Sequence, residues 1–268
     1  MKLTVLVDNN TLIDQYYGGE PGLCFYIEDN DTRCLWDAGY TDLCISNALK
    51  MGITLSRLDV LAFSHGHNDH IGGLPHLLER FDCRQMQLVA HPDTFLPKRL
   101  HGQMIGSLLS AQDLQSRCRL HLSKGPVWLT QQLVFLGEIP RTTEFEATRA
   151  IGQVKHGNVW REDFLLDDSA LVWCSAKGLV IITGCAHSGI CNIIEAAKTV
   201  CGTTQIAAVI GGFHLSELGP QVEQTIQYLK RHRIDQLYPC HCVSFAVKSA
   251  IHQQIPIQEV GVGMHLEW

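Results

Sequence analysis

Four side chains of metal-binding type lie within six positions of the chain: His65, His67, Asp69 and His70, in the stretch SHGHNDHIGG. His65 and His67 are two residues apart at the end of an apolar segment. In extended backbone such side chains point the same way, so both can reach one ion. Asp69 and His70 follow where the chain turns into a helix, so they can face a second ion. We interpret the stretch as a metal loop rather than as a polar loop with incidental histidines.

The chemistry expected of this loop is metal-assisted hydrolysis. Imidazole nitrogen and carboxylate oxygen are ligands that Zn²⁺ accepts readily, and Mn²⁺ or Fe²⁺ are alternatives. Two divalent ions roughly 3.5–4 Å apart can activate a hydroxide between them and stabilise a leaving oxygen. We predict that Asp69 is catalytic as well as a ligand, because it can orient that nucleophile.

Four further residues are candidates for contact with a substrate. His214 follows a strand-like segment that ends in two glycines, which permit close approach of another element; a histidine packed in the core is the alternative. His91 follows the strand after the metal loop, at the sheet edge where α/β sites gather, and forms either a pocket wall or a simple turn. Glu138 and Arg141 lie in the motif GEIPR. An arginine there can bind phosphate or carboxylate through two hydrogen bonds, and a surface salt bridge is the alternative.

Composition limits the classes of partner. The chain has 268 residues, 46% of them hydrophobic, and a net charge of −6 from 21 basic and 27 acidic residues. This charge argues against a general nucleic-acid or membrane-surface binder, and a small anionic molecule is the expected substrate. The amino terminus lacks the pattern of a signal peptide, and no window is apolar enough for a membrane span. Eleven cysteines, mostly in apolar surroundings, fit a reducing cytoplasm.

The order of predicted elements indicates an α/β protein. Strand-like segments such as KLTVLVD and LCFYIED come first, and strands and helices alternate later. This order predicts two sheets packed together and covered by helices. Residues from about 92 to 164 are rich in Gln, Ser, Thr and Arg. We predict a single domain over residues 1–268, in which this segment is an irregular insertion covering the site.

The pattern H-x-H-x-D-H after a strand resembles the signature of the metallo-β-lactamase superfamily, and the resemblance covers nearly the whole chain. It implies a four-layer αββα sandwich of two mixed sheets with helices on both outer faces. Asp37 in LWDAG matches an early aspartate that orients the metal loop through hydrogen bonds. Cys185 in IITGC matches a bridging aspartate, and His241 in YPCHC matches the final histidine ligand. The motifs GEIPR, TGCAH, GGFH and PCHC resemble a subgroup of metal-dependent hydrolases that includes dihydropterin–ribofuranosylaminobenzene phosphate synthases.

Two departures from the family pattern leave alternatives open. The family has T-G-D where this chain has Cys185, which either binds metal as a thiolate or is a packed thiol just behind the ions. The family's middle histidine is absent from the matching stretch LLDDSALVW. His187 or Asp168 therefore fills its place, and we favour His187 because nitrogen replaces nitrogen; Asp168 then supports the site from behind. The position of His214 resembles that of a proton donor or substrate contact in tRNA-processing members.

The resemblance and the residues together predict a dinuclear metal-dependent hydrolase, or a phosphate-releasing transferase. A metal-bound hydroxide would attack a small anionic ester, phosphoester or lactone, and His214 would protonate or stabilise the leaving group. A synthase of the same fold that uses a pterin pyrophosphate is one alternative. A non-catalytic metal-binding member is another. A redox member is disfavoured, because such proteins carry a carboxylate where His67 stands and a fused flavodoxin domain.

Overall fold

The computed structural model describes residues 1–234 and 236–268. In chain order its strands are β1 (Lys2–Val7), β2 (Cys24–Asp29), β3 (Thr32–Trp36), β4 (Val60–Ala62), β5 (Gln87–Ala90), β6 (Lys98–Leu100), β7 (Gln103–Met104), β8 (Arg119–Leu122), β9 (Val127–Trp128), β10 (Leu133–Phe135), β11 (Gln153–His156), β12 (Val159–Glu162), β13 (Ala170–Ser175), β14 (Gly178–Thr183), β15 (Ile206–Gly211), β16 (Leu237–Pro239) and β17 (His265–Glu267). The α-helices are α1 (Leu43–Lys50), α2 (Asn68–Ile71), α3 (Leu74–Arg80), α4 (Ala111–Leu114), α5 (Ile190–Cys201), α6 (Pro220–Arg231) and α7 (Phe245–His252).

Two large mixed sheets carry most of the strands. The first has seven strands in the order β17-β1-β2-β3-β4-β5-β8, and the second has six in the order β16-β15-β14-β13-β10-β9. Strands β3, β4, β5 and β8 pair in parallel in the first sheet. Strands β14, β15 and β16 do so in the second. Parallel strands bring their carboxyl ends to one edge of a sheet. The loops that leave β4, β14 and β16 there carry the predicted ligands, and the loop after β15 carries His214.

The two sheets pack face to face around one apolar core. Strand β14 is buried on both faces, so successive side chains enter different cores. Val180 and Ile182 face the core between the sheets, whereas Leu179 and Ile181 face the core beneath the helices. Between the sheets, the rings of Trp36 and Phe135 meet edge to face with centroids 6.5 Å apart.

Helices cover the outer face of each sheet. Leu74 and Leu77 of α3 pack beneath the first sheet with Ala48 of α1. Apolar residues of α5, α6 and α7 pack beneath the second, including Ile193 and Leu229. The layers are therefore helix, sheet, sheet, helix, which confirms the predicted αββα sandwich. Among residues 1–234 and 236–268, none of the helices combines the length and apolar character that crossing a bilayer requires.

The segment at about 92–164 is more regular than its composition indicated, which corrects the expectation of an irregular insertion. Strand β8 extends the first sheet, and β9 and β10 extend the second. Strands β6, β7, β11 and β12 form a separate four-stranded sheet in the order β12-β11-β6-β7. Two of its pairings are local hairpins, β6–β7 and β11–β12, and β6 pairs with the distant β11 to join them. These strands are short and carry polar residues, so their sequence has no strong strand pattern.

Candidate metal centre

The metal loop, residues 64–73, leaves the first sheet just after the buried strand β4. Its glycines permit close approach of neighbouring backbone. A Cβ atom added at Gly66 would lie 2.1 Å from the carbonyl oxygen of Thr94. One added at Gly73 would lie 2.2 Å from the carbonyl oxygen of Ala38. Any side chain at either position would displace the loop, so the glycines hold the histidines between them in place.

Ring nitrogens of the predicted ligands face one another in two pairs. His65 Nε2 lies 3.2 Å from His187 Nε2, and His70 Nε2 lies 3.1 Å from His241 Nε2. His67 Nε2 is buried and has no hydrogen-bond partner among the residues that the structure describes. Buried ring nitrogens in such an arrangement form the environment in which a cation is bound.

Hydrogen bonds on the far side of two rings determine which nitrogen faces the site. His70 Nδ1 lies 2.7 Å from a carboxylate oxygen of Asp37, and His241 Nδ1 lies 2.8 Å from the amide oxygen of Asn9. Both oxygens accept, so each Nδ1 donates its hydrogen and each Nε2 presents a lone pair. Two lone pairs at this distance repel. Either one ring takes up a second proton or a cation lies between the rings, so the residues present fit a metal ion.

Cys185 lies between two groups of ligand atoms. Its Sγ is 3.1 Å from His70 Nε2. The ligand atoms in each group lie within 4.8 Å of one another and of this sulfur: His65 and His187 in one group, and Asp69, His70 and His241 in the other. A further group with the same spacing contains His65, His67 and Asp69. This geometry supports the prediction that Cys185 adjoins both metal positions.

Electrostatics favour the ligand forms of His67 and Asp69, whereas the carboxylates beside His70 favour its protonated ring, which must release a proton to bind metal. Burial lowers the pKa of His67 to about 4, so its ring is neutral at pH 7. Burial alone would raise the pKa of Asp69, but His70 and His241 lower it well below its usual range. Burial alone would lower the pKa of His70, but Asp69 and Asp37 raise it to about 9. A neutral imidazole and an ionised carboxylate are the forms that bind metal.

Asp37 supports the metal loop in the way that the resemblance implied. It follows β3 with a left-handed backbone (φ 58°). One carboxylate oxygen accepts the backbone N–H of Ser64 at 2.8 Å, and the other accepts the hydroxyl of Ser64 at 2.8 Å as well as His70. The carboxylate of Asp37 is therefore hydrogen-bonded to both ends of the stretch that carries the ligands, Ser64 and His70.

Comparison with known proteins identifies the family. A family model described as "Metallo-beta-lactamase superfamily" matches residues 17–187. The chain belongs to this superfamily. Uncharacterized protein MJ0448 of Methanocaldococcus jannaschii is 30% identical over 253 residues, which cover 94% of each chain. A second protein of that organism, named 7,8-dihydropterin-6-methyl-4-(beta-D-ribofuranosyl)-aminobenzene-5'-phosphate synthase, is 26% identical over 270 residues, covering 95% of this chain and 91% of its own.

Solved structures agree with this assignment of the fold. The crystal structure of Tm1679, described as a metal-dependent hydrolase of the beta-lactamase superfamily, matches with a TM-score of 0.84 and 24% identity. The match covers 100% of this chain and 99% of that one. A diphosphatase of the PhnP family matches with a TM-score of 0.54 and 16% identity, over 100% and 97% of the two chains. The superfamily match ends at residue 187, so it includes the metal loop and TGCAH but neither His214 nor His241.

His187 and Asp168 are the two candidates for the place of the superfamily's middle histidine. Of these, His187 lies next to the ligand His65, ring nitrogen to ring nitrogen. Asp168 points instead to the turn that follows His187, where it accepts hydrogen bonds from the backbone N–H and the hydroxyl of Ser188. Burial raises the pKa of Asp168 to about 6. The other carboxylate oxygen of Asp168 is buried without a hydrogen-bond partner in the described residues, and Asp168 belongs to none of the ligand groups there. That Asp168 supports His187 stays a prediction.

His214 lies at the exposed side of the cluster. Its ring packs against that of His187, with centroids 4.3 Å apart. Partial desolvation alone would lower the pKa of His214, but Cys242 and Asp168 raise it above the usual value. An exposed ring with a raised pKa, next to a ligand, is suited to donating a proton.

The other three candidates for substrate contact lie apart from the ligand groups. His91 is buried, and its Nε2 lies 3.2 Å from Glu138, which also pairs with Lys124 at 3.2 Å. Arg141 donates to the backbone carbonyls of Phe164 and Leu165. In the described part of the chain, none of the hydrogen bonds of these three residues reaches a metal ligand, so their contact with substrate stays a prediction.

Several residues at the site were missed from the sequence. Asn9 orients His241, and the carboxylate of Asp8 accepts the backbone N–H of His241 at 3.0 Å. The only available signal was a polar run directly after β1. Lys98 was not predicted because it lies in strand β6, far along the chain from the metal loop. Cys242 was not predicted because its neighbour His241 was assigned as the ligand of that segment.

Proposed function

We propose that this chain is a metal-dependent hydrolase whose site holds two divalent ions. The observation that carries the proposal is the position of Cys185, whose Sγ adjoins a group with His65 and His187 and a group with Asp69, His70 and His241. The superfamily membership and the description of Tm1679 as a metal-dependent hydrolase support it.

The donor set matches zinc better than magnesium or calcium. Imidazole nitrogens and a sulfur predominate, and these are ligands of Zn²⁺ rather than of hard cations. His65, His67 and His187 would hold one ion, and Asp69, His70 and His241 would hold the other, with Cys185 next to both. When bound, such ions lower the pKa of water and polarise a substrate oxygen.

Two side chains then have roles in the reaction. Asp69 is ionised and its side chain is 30% exposed, so one carboxylate oxygen can accept a hydrogen bond from the attacking water and orient it. His214 is exposed, and in its protonated form it can donate a proton to the leaving oxygen of the substrate.

The proposed substrate is a small anionic ester, phosphoester or lactone. Cations at the site would attract such an anion without help from Arg141, which the carbonyls of Phe164 and Leu165 already engage. The phosphate in the name of the 26% identical relative is consistent with this class.

Metal content and hydrolysis together test the proposal. We expect wild type to bind up to two zinc ions per chain and to hydrolyse at least one member of a phosphodiester, phosphomonoester and lactone panel. A chelator should abolish the activity, and zinc should restore it. The double variant His67→Ala/Asp69→Ala should lose metal, whereas His156→Ala, at the exposed end of β11, should retain it. Unchanged metal content in the double variant would refute the assignment.

A pterin-pyrophosphate-using synthase is the second candidate, because the relative named as a dihydropterin synthase covers 95% of this chain. Its test is incubation with a dihydropterin pyrophosphate and an aminobenzene ribofuranosyl phosphate. Mass spectrometry of the coupled product distinguishes it from simple hydrolysis, which yields only the cleaved pyrophosphate ester.

A further inference from the structure

Cys242 lies beside Cys185 although the two residues are far apart in sequence and belong to different loops. Cys185 follows β14 and Cys242 follows β16, and β15 separates these strands in the sheet. Gly212, just after β15, leaves room for the contact. A Cβ atom added there would lie 2.5 Å from Cys242 Sγ and 3.1 Å from Cys185 Cα. The two sulfurs and a ring nitrogen of His214 lie within 4.8 Å of one another.

The two thiols differ in access and in surroundings. Cys185 is only 3% exposed, whereas Cys242 is half-buried next to the exposed His214. The backbone N–H of His214 donates to Cys242 Sγ at 3.2 Å. Cys242 Sγ in turn donates to the backbone carbonyl oxygen of Cys185 at 3.5 Å. Because Cys242 is the more exposed of the two, it is the thiol of the pair that an oxidant reaches first.

We propose that Cys242 is an oxidation site that forms a disulfide with Cys185 when the protein meets hydrogen peroxide. The Cys242 sulfur attacks one peroxide oxygen, the O–O bond breaks, and Cys242 becomes a sulfenic acid while the leaving hydroxide takes up the thiol proton as water. The Cys185 sulfur then attacks the Cys242 sulfur, and the S–S bond forms as the sulfenic oxygen leaves with the Cys185 proton as a second water. Two thiols lose two electrons, and one hydrogen peroxide is reduced to two waters.

The disulfide would withdraw Cys185 from metal binding. A sulfur in a disulfide has no thiolate charge, so it is a poor ligand for Zn²⁺. This consequence rests on the proposed function, whereas the oxidation itself needs only the two thiols. Conversely, bound metal would occupy Cys185 and slow its attack on the sulfenic acid.

A second thiol pair of the same chain is the control. Cys174 and Cys201 are both half-buried and adjacent, and neither belongs to a ligand group in the described residues. Metal-free wild type, Cys242→Ser and Cys174→Ser are treated with hydrogen peroxide, free thiols are alkylated, and peptides are analysed by mass spectrometry. We expect a Cys185–Cys242 disulfide in wild type and in Cys174→Ser, none in Cys242→Ser, and reversal by dithiothreitol.

Zinc loading separates this proposal from the proposed function. Bound zinc should slow formation of the Cys185–Cys242 disulfide by about tenfold or more. It should leave the oxidation of Cys174 and Cys201 unaffected. Formation of the Cys185–Cys242 disulfide should release zinc. Free, alkylated Cys185 and Cys242 after peroxide treatment of the metal-free protein would overturn the oxidation site. A disulfide that forms at the same rate with zinc and releases none would instead overturn Cys185 as a ligand, and with it that part of the proposed function.

Discussion

Lys98, at the start of β6, places a buried positive charge next to the metal loop. Its ammonium lies 2.7 Å from Asp163 and 2.9 Å from Asp167, and the three side chains are 1%, 4% and 1% exposed. The other oxygen of Asp167 accepts the backbone N–H of Gly66 at 2.8 Å. Strand β6 is thereby connected to the metal loop through a single carboxylate.

Replacing Lys98 with methionine keeps the length of the side chain and removes the charge. With an effective dielectric constant near 20, each carboxylate attracts the ammonium by about 6 kcal/mol at these distances, most of which desolvation offsets. The variant leaves Asp163 and Asp167 buried without a counter-charge, and loss of one partner from a buried ion pair costs about 3–5 kcal/mol. We therefore expect the free energy of unfolding of Lys98→Met to fall by about 3–5 kcal/mol at pH 7.5.

Urea unfolding of metal-free protein at several pH values tests this reasoning. Burial alone would raise the pKa of Asp167, but Lys98 lowers it. That contribution is present above about pH 3.9, the unfolded value, and is lost as the pH falls through the lowered folded value. In the variant the carboxylates protonate at higher pH, so the difference from wild type should shrink between pH 7 and pH 4. Lys124→Met, whose ion pair is exposed, should cost under about 1 kcal/mol. A loss below about 1 kcal/mol for Lys98→Met, or one that is independent of pH, would refute the argument.

Three further predictions concern the metal site. His187→Ala should reduce the zinc content measured by elemental analysis, whereas Asp168→Asn should retain most of it; the reverse result would make Asp168 the ligand. Asn9→Ala should weaken zinc affinity about 10–100-fold in a competition titration, because the ring of the ligand His241 loses its orienting partner; an unchanged affinity would contradict this role. His214→Gln should lower kcat and remove the fall in activity that accompanies deprotonation of His214 as the pH rises through its raised pKa; an unaltered pH profile would exclude His214 as the acid.

The main strands could be predicted from sequence because both of their faces are buried. Segments such as KLTVLVD and LCFYIED form β1 and β2 as predicted, since continuous apolar runs between turn residues have few alternatives. Strands β6, β7, β11 and β12 escaped prediction because they are short, polar and partly exposed. The pairing that joins their two hairpins, β6 with β11, links residues several tens of positions apart, which a local pattern does not encode.

The ligands that lie close in sequence could be inferred from spacing, but their neighbours across the sheet could not. Side-chain alternation argues against one ion binding Cys240, His241 and Cys242 together. It gives no information on what Cys242 meets, because His241 has a left-handed backbone (φ 54°) that redirects the chain. The contact with Cys185 depends on this turn and on the missing side chain of Gly212.

Left-handed backbone recurs where strands enter the site, and it explains how these short loops bring ligands together. Asp37 follows β3 with φ 58°, Ala186 follows β14 with φ 59°, His214 follows β15 with φ 48°, and His241 follows β16 with φ 54°. For residues other than glycine, such a conformation costs on the order of 1–2 kcal/mol. Glycine would adopt it without strain, but glycine supplies no carboxylate or imidazole. Three of the four positions therefore combine a sharp turn with a side chain that the site uses, and packing of the two sheets compensates for the strain. Ala186 offers no such side chain. It contributes through its left-handed backbone, which sets the directions of its neighbours Cys185 and His187.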